Sequence, residues 1–433
     1  MSRTVQTRIG PIELTDDRWS DLRRDVDHRS PLPRLCYAAA HVVMKPSYAG
    51  VPHSVETPGT SEEIAEHLDW DATMAIRRGI GGTGMGIAEA MDTAQRFNLG
   101  WTAAKRLIEL TGGLGLEAGF CAGASTDHLE TVETTSRIVD GVVEQIDVIR
   151  RAGGVAVILP IPRLCELGID EDGYVQVYAD IAREAGEGPL IVHWLGPMFL
   201  PSLEGYFPGD SFLRIMRNDP QRYRAAKLSM LDHRLEVDLR RDLLERDQIM
   251  LTGDDFHFGR LIAGENDGVA EVRRTTEFDG RDVPLGDFSH ALLGVFDAIA
   301  DPASLALRRL AAGDREGYDR IMAPCERLGQ AIFKDPTRFY KTGLSFLSWL
   351  DGRQENPMLV NHEETQRSPS DLLECVRLAD AAGALISPMS AAARLSALAG
   401  PDPGPSPGPG PGRSLGDLAR GAAGIREKRR PSR

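Results

Sequence analysis

The sequence predicts an α/β fold: a (β/α)8 TIM barrel with a C-terminal helical extension. Short runs such as 155–159 (VAVIL) and 190–194 (LIVHW) are apolar throughout, as in a parallel sheet buried on both faces. Longer amphipathic segments alternate with these runs, giving eight β units with helices between them. No Gly-x-Gly-x-x-Gly follows the first strand, which disfavours the main alternative, a doubly wound open sheet.

The elements are expected as follows. Residues 37–44 (YAAAHVVM) form a strand, 70–78 a helix and 79–84 a short strand. Residues 93–110 are helical, 117–122 a strand and 126–151 helical. The strand at 155–159 precedes a helix at 174–185, and the strand at 190–194 a helix at 212–218. Residues 224–228 form a strand, 235–246 a helix and 249–252 a strand, and a last strand begins at 268–270. Segments 288–348 and 371–398 read as consecutive helices with no strand between them. The expected organisation is therefore an irregular N-terminal extension (1–35), the barrel (36–287), a helical cap (288–399) and a disordered Pro/Gly-rich, basic tail (400–433).

Composition bounds the function. The chain has 433 residues, 42% hydrophobic and 26% charged, as in a globular protein. A net charge of -14 argues against general affinity for nucleic acid or anionic membrane. The five cysteines, Cys36, Cys121, Cys165, Cys325 and Cys375, are scattered and without CxxC spacing, which suits reduced thiols in a cytoplasmic protein. The first twenty residues lack the apolar core of a signal peptide, and no run reaches the roughly 18 apolar residues of a membrane span.

A barrel gathers its chemistry at the C-terminal ends of its strands and in the loops that follow. The residues expected there are His41, Lys45, Gly84, Met85, Glu89, Ser125, Asp127, Pro160, His193, Lys227, Ser229, Asp254, Asp255 and His257. Lys227 stands out, because small apolar residues lead up to a single amine in YRAAKLSM (223–230). Burial disfavours an ammonium and lowers its pKa from about 10.4 toward neutrality. A neutral amine attacks ketones and aldehydes, so Lys227 can form a Schiff base.

The order AAK (225–227), MLTGDD (250–255), LIAGENDGVA (261–270) resembles the dihydrodipicolinate synthase and N-acetylneuraminate lyase superfamily of class I aldolases. Upstream, GGVAVILPIP (153–162) and the helix–strand run 174–194 are similar as well, as is IFKDPTRFYKTGLSFLSWLDG (332–352) to a helical-cap signature of that superfamily. The similarity spans about residues 36–352 and points to a divergent, uncharacterised branch. It implies that Lys227 is the Schiff-base lysine. Where the superfamily has a proton-relaying tyrosine, this chain has His193. The superfamily's Gly-Thr-Thr-Gly-Glu, which holds a substrate carboxylate, matches the stretch Gly81 to Glu89, where the paired threonines are missing.

The expected reaction is thus Schiff-base aldol cleavage, condensation or dehydration of a small keto acid or sugar-derived carbonyl compound. Lys227 and His193 are the expected catalytic residues, and Gly84, Glu89, Ser229 and Asp255 the expected substrate-binding residues. No cofactor and no metal are expected, and the resemblance implies a homo-oligomer, a dimer or tetramer. Two alternatives remain. One is a metal-dependent sugar isomerase or lyase drawing on His41, Glu89, His193, Asp255 and His257. The other is a non-catalytic sugar-binding barrel.

Overall fold

The computed structural model describes residues 2–28, 30–265 and 268–399. The tail expected at 400–433 lies outside them. The chain begins with an antiparallel hairpin, β1 (Ser2–Thr7) and β2 (Gly10–Thr15), where an irregular extension was expected. Val5, Ile12 and Leu14 lie on one face of this hairpin and are buried against the helices Pro369–Ala382 and Pro388–Ala399. Trp19 fixes the same corner by donating from Nε1 to the Ala382 carbonyl at 2.8 Å.

Seven barrel strands follow: β3 (Cys36–Ala39), β4 (Gly86–Glu89), β5 (Phe120–Ala124), β6 (Val155–Ile158), β7 (Leu190–Leu195), β8 (Tyr223–Ser229) and β9 (Ile249–Thr252). A second hairpin comes next, β10 (Val272–Phe278) with β11 (Arg281–Gly286), and then the closing strand β12 (His290–Leu293). The order β12-β3-β4-β5-β6-β7-β8-β9 is a closed barrel, and every pair in it is parallel.

Two strand expectations are corrected. Residues 79–84 are the end of the helix Trp70–Gly81 and the turn after it, and the strand starts at Gly86. A Cβ at Gly86 would lie 2.6 Å from the Tyr37 ring, so glycine there makes room for an aromatic side chain inside the barrel. The glycine-rich run thus reads as one feature but serves two, a helix end and a packing site. The last strand is β12, not 268–270, so the barrel runs past residue 287. The β10–β11 hairpin intervenes, and its Phe278, Val283 and Leu285 pack with Tyr37, Val155, Ile249 and Leu292 in the barrel interior. It stops the lower, N-terminal end of the barrel, where Arg281 donates to the Ala118 carbonyl at 2.6 Å.

Successive strand residues point to opposite faces. Ile191, Ala225 and Leu251 belong to the interior cluster, so His193, Lys227, Ser229 and Gly253 also face inward, toward the upper end. After β12, the helices Phe296–Ala311, Arg315–Ile332 and Lys341–Leu350 pack on the barrel and on each other. Among the described residues no helix is long and apolar enough to cross a membrane.

Candidate active site

The inward residues of β7 and β8 build the site. His193 and Lys227 are register partners on these adjacent strands, whose spacing is about 4.8 Å. Lys227 is 8% exposed, and among the described residues no hydrogen bond or ion pair reaches its amine. Burial pulls its pKa down to about 8, against the opposing pull of Asp255, Cys121 and Asp92. A Cβ at Gly253 would lie 2.9 Å from Lys227 Cε and 2.1 Å from Ser229 Oγ, so the glycine after β9 leaves space for both side chains.

His193 Nε2 and Ser229 Oγ share a hydrogen bond of 3.2 Å, and His193 Nδ1 is buried without a hydrogen-bond partner among the described residues. Burial, and then the Lys227 charge, push the imidazole well below its ordinary pKa, so it is neutral at pH 7. Asp255 follows β9 and is buried, with Oδ1 accepting from the Val295 amide at 2.8 Å just past β12. Burial raises its pKa to about 7, although the Val295 hydrogen bond and the Lys227 charge hold it down. An amine drifting toward neutral thus lies within electrostatic reach of a carboxyl drifting toward neutral, which suits proton exchange near pH 7.

The other expected residues lie elsewhere. Gly84 precedes β4 at the lower end, where a Cβ would sit 3.1 Å from Arg308 Nη2, so it is not in the site. Glu89 ends β4 but faces outward: Arg77 donates to it at 2.7 and 2.8 Å, Thr111 at 2.7 Å and the Ala90 amide at 2.9 Å. Burial alone would raise its pKa, but Arg77 and these hydrogen bonds hold it below the usual carboxylate range. Glu89 is therefore a structural anion and not a group for substrate. His41 is fixed between Asp297 Oδ2 (2.5 Å) and Gln354 Oε1 (2.6 Å). Asp254 accepts from the Phe256 and His257 amides at 2.8 and 3.1 Å and contacts His257 Nδ1 at 2.9 Å, a turn-capping role. Among the described residues no group of three or more His, Cys, Asp or Glu side chains is placed to hold a metal.

Above the lysine lie residues that sequence reasoning missed. A Cβ at Gly294, just past β12, would lie 2.9 Å from the Phe333 ring, 3.3 Å from Tyr340 and 3.5 Å from Thr93 Oγ1. Phe333 and Tyr340 stack at 4.3 Å, and Phe199 from the loop after β7 meets both edge-on at 6.4 and 6.2 Å. The Tyr340 and Thr93 hydroxyls lie 2.8 Å apart. Lys341 Nζ donates to Asp92 Oδ2 at 3.2 Å and lies 3.6 Å from Glu363. Asp92 and Thr93 were hidden because β4 was expected too early in the chain. With β4 in place, they belong to the loop after its C-terminal end. Tyr340 and Lys341 stood in the cap segment 332–352, but its position over the barrel is a tertiary fact. A groove of about 270 Å³ lies outside the barrel beside Arg260 and Glu326, where Arg260–Glu265 and Arg315–Asp319 already pair, so the interior keeps the claim to chemistry.

The comparisons fit this geometry. Residues 12–400 match a family described as "Protein of unknown function (DUF993)". The chain belongs to that family. Among solved structures, this DUF993 chain is similar to dihydrodipicolinate synthase from Oceanobacillus iheyensis, with a TM-score of 0.55 at 14% identity over 80% of this chain and 95% of that one. Dihydrodipicolinate synthase from Thermotoga maritima gives 0.53 at 13% identity, over 81% and 100% of the two chains. N-acetylneuraminate lyase from Fusobacterium nucleatum, complexed with pyruvate, gives 0.51 at 14%, over 80% and 95%. At these identities the likeness is one of fold, and in fold the DUF993 chain is the barrel that the sequence resemblance implied. No curated protein matches the chain.

Proposed function

We propose that the chain is a Schiff-base-forming lyase or aldolase acting on a small carbonyl compound. The observation that carries this reading is Lys227: a buried, inward-facing amine at the upper end of a barrel strand, with a lowered pKa and no hydrogen bond or ion pair among the described residues. The similarity in fold to dihydrodipicolinate synthase and N-acetylneuraminate lyase structures supports the same class.

The neutral Lys227 amine adds to the carbonyl carbon, giving a carbinolamine. Its hydroxyl leaves as water with one proton from Asp255, and the nitrogen lone pair forms the C=N bond of the iminium. In the cleavage direction, neutral His193 takes the proton of the substrate's β-hydroxyl. The Cα–Cβ bond then breaks, its electrons move into the iminium to give an enamine, and an aldehyde departs. Protonation of the enamine carbon and attack of water on the iminium release the second product and restore the amine. Ser229 orients His193. No cofactor or metal takes part.

The net charge of -14 fits a small-molecule substrate better than nucleic acid. A cytoplasmic location and a dimer or tetramer belong to the same reading. Reduction with borohydride in the presence of small ketones and aldehydes, followed by peptide mass spectrometry, should place an adduct on Lys227. Lys227→Ala should lose the adduct and lower turnover by at least about a thousandfold. Full turnover in that variant would refute the reading.

A further inference from the structure

Resting on the Schiff-base reading, we infer that the substrate is an uncharged hydroxylated carbonyl compound, such as a hydroxyketone or a keto sugar, and not a 2-oxo acid. The inference comes from where the positive charge of the upper barrel is spent. In the eight barrel strands the only lysine or arginine residues are Arg224 and Lys227. Arg224 is the second residue of its strand, at the lower end, and donates to the Glu277 carbonyl of the plugging hairpin at 3.0 Å. Lys227 is therefore the one cation on the inward faces of the strands, and the proposed reaction consumes it as the nucleophile.

Three cations near the upper rim have partners of their own. Arg77 is taken by Glu89, and Arg96 by Asp127 at 2.9 Å and the Gly123 carbonyl at 2.6 Å. Lys341 lies between Asp92 and Glu363. Several backbone donors beside the site are occupied too. After β4, the amide of Ala90 is bound by Glu89, that of Ala94 by the Met91 carbonyl and that of Gln95 by the Asp92 carbonyl. The amides of Gly253 and Val295 go to the Leu228 carbonyl and to Asp255. A substrate carboxylate would meet no spare counter-charge among these groups, and Asp92 and Asp255 lie near Lys227. Burying an unpaired anion there is strongly unfavourable.

Groups that recognise hydroxyls are, by contrast, present. Thr93 and Tyr340 offer hydroxyls, Ser229 a third, and His193 Nδ1 is buried without a hydrogen-bond partner among the described residues. Neutral hydroxyl groups satisfy such donors and acceptors without adding charge. The iminium itself is balanced by one carboxylate, Asp255, so the occupied site needs no further anion.

Two matched pairs of probes test this. Hydroxyacetone and pyruvate differ only in a hydroxymethyl against a carboxylate, as do dihydroxyacetone and hydroxypyruvate. Full-length protein and Lys227→Ala are incubated with each probe at equal concentration and treated with cyanoborohydride. Adducts on Lys227 are then quantified by peptide mass spectrometry. The expected result is at least tenfold more Lys227 adduct with the neutral member of each pair. Asp92→Asn should narrow that preference by removing an anion and loosening Lys341. Equal or better trapping of the two oxo acids overturns the substrate assignment and leaves the Schiff-base reading standing. Absence of a Lys227 adduct with all four probes removes the Schiff-base reading, and the substrate assignment falls with it.

Discussion

Two sets of buried ionisable groups occupy the same barrel on opposite faces of its wall. Outside it, Arg77 and Glu89 are in direct contact, and past the end of β3 so are His41 and Asp297. Inside it, Lys227 acts electrostatically on Asp255 and on His193, but the three share no hydrogen bond among the described residues. The outer carboxyls, Glu89 and Asp297, are held below their ordinary pKa by their partners despite burial. The inner groups are shifted toward neutrality by burial. Depth is the same in both sets, so depth does not separate a structural ion pair from a reactive group. Direct pairing does: the outer set stabilises the fold, and the inner set keeps protons and lone pairs exchangeable.

The largest effect on this contrast should come from the outer set. Arg77→Met leaves Glu89 buried without its cation and should cost about 3–5 kcal/mol of unfolding free energy, read by chemical denaturation. In conditions where the variant is folded, its Lys227 trapping should follow the wild-type pH profile. A changed profile would mean that the two sets are coupled.

The next effect belongs to the inner set. In the proposed reaction the neutral amine is the nucleophile, so the trapping rate should rise with pH through about 8 and level off above it. Asp255 favours the ammonium, so Asp255→Asn should move that midpoint to lower pH. The same change removes the proposed proton donor for carbinolamine dehydration and should lower the plateau rate. An unmoved midpoint, measured by cyanoborohydride trapping across pH 6–10, would detach Asp255 from the site. The smallest effect is expected from Tyr340→Phe, which deletes one hydroxyl facing Thr93. It should cost about 1 kcal/mol of stability and lower dihydroxyacetone trapping severalfold.

Much of this contrast was legible in the sequence, but unevenly. The strand at 249–252 and the inward lysine of 223–229 follow from local apolar pattern alone. Lys227, His193, Ser229 and Asp255 lie near the C-terminal ends of strands because a parallel barrel places them there. The failures have physical causes. Glycines 81 to 86 give no periodicity that separates a helix end from a strand, so the pattern places β4 too early and Gly84 at the wrong end, and it hides Asp92 and Thr93. Glu89 was read as a ligand because nothing in its own segment reveals Arg77, one helix earlier. The β10–β11 hairpin displaced the expected last strand, and its purpose is visible only once the barrel is closed. Tyr340 reaches the mouth through helix packing, which no local pattern encodes.

That hairpin also decides traffic. With Phe278, Val283 and Leu285 filling the lower end, the barrel is a cul-de-sac and not a tunnel. A molecule that reaches Lys227 comes and goes at the upper end, where Phe199, Phe333 and Tyr340 cluster. Under the proposed cleavage two fragments would leave in turn by that upper end, past the loop after β7 and the cap segment bearing Tyr340.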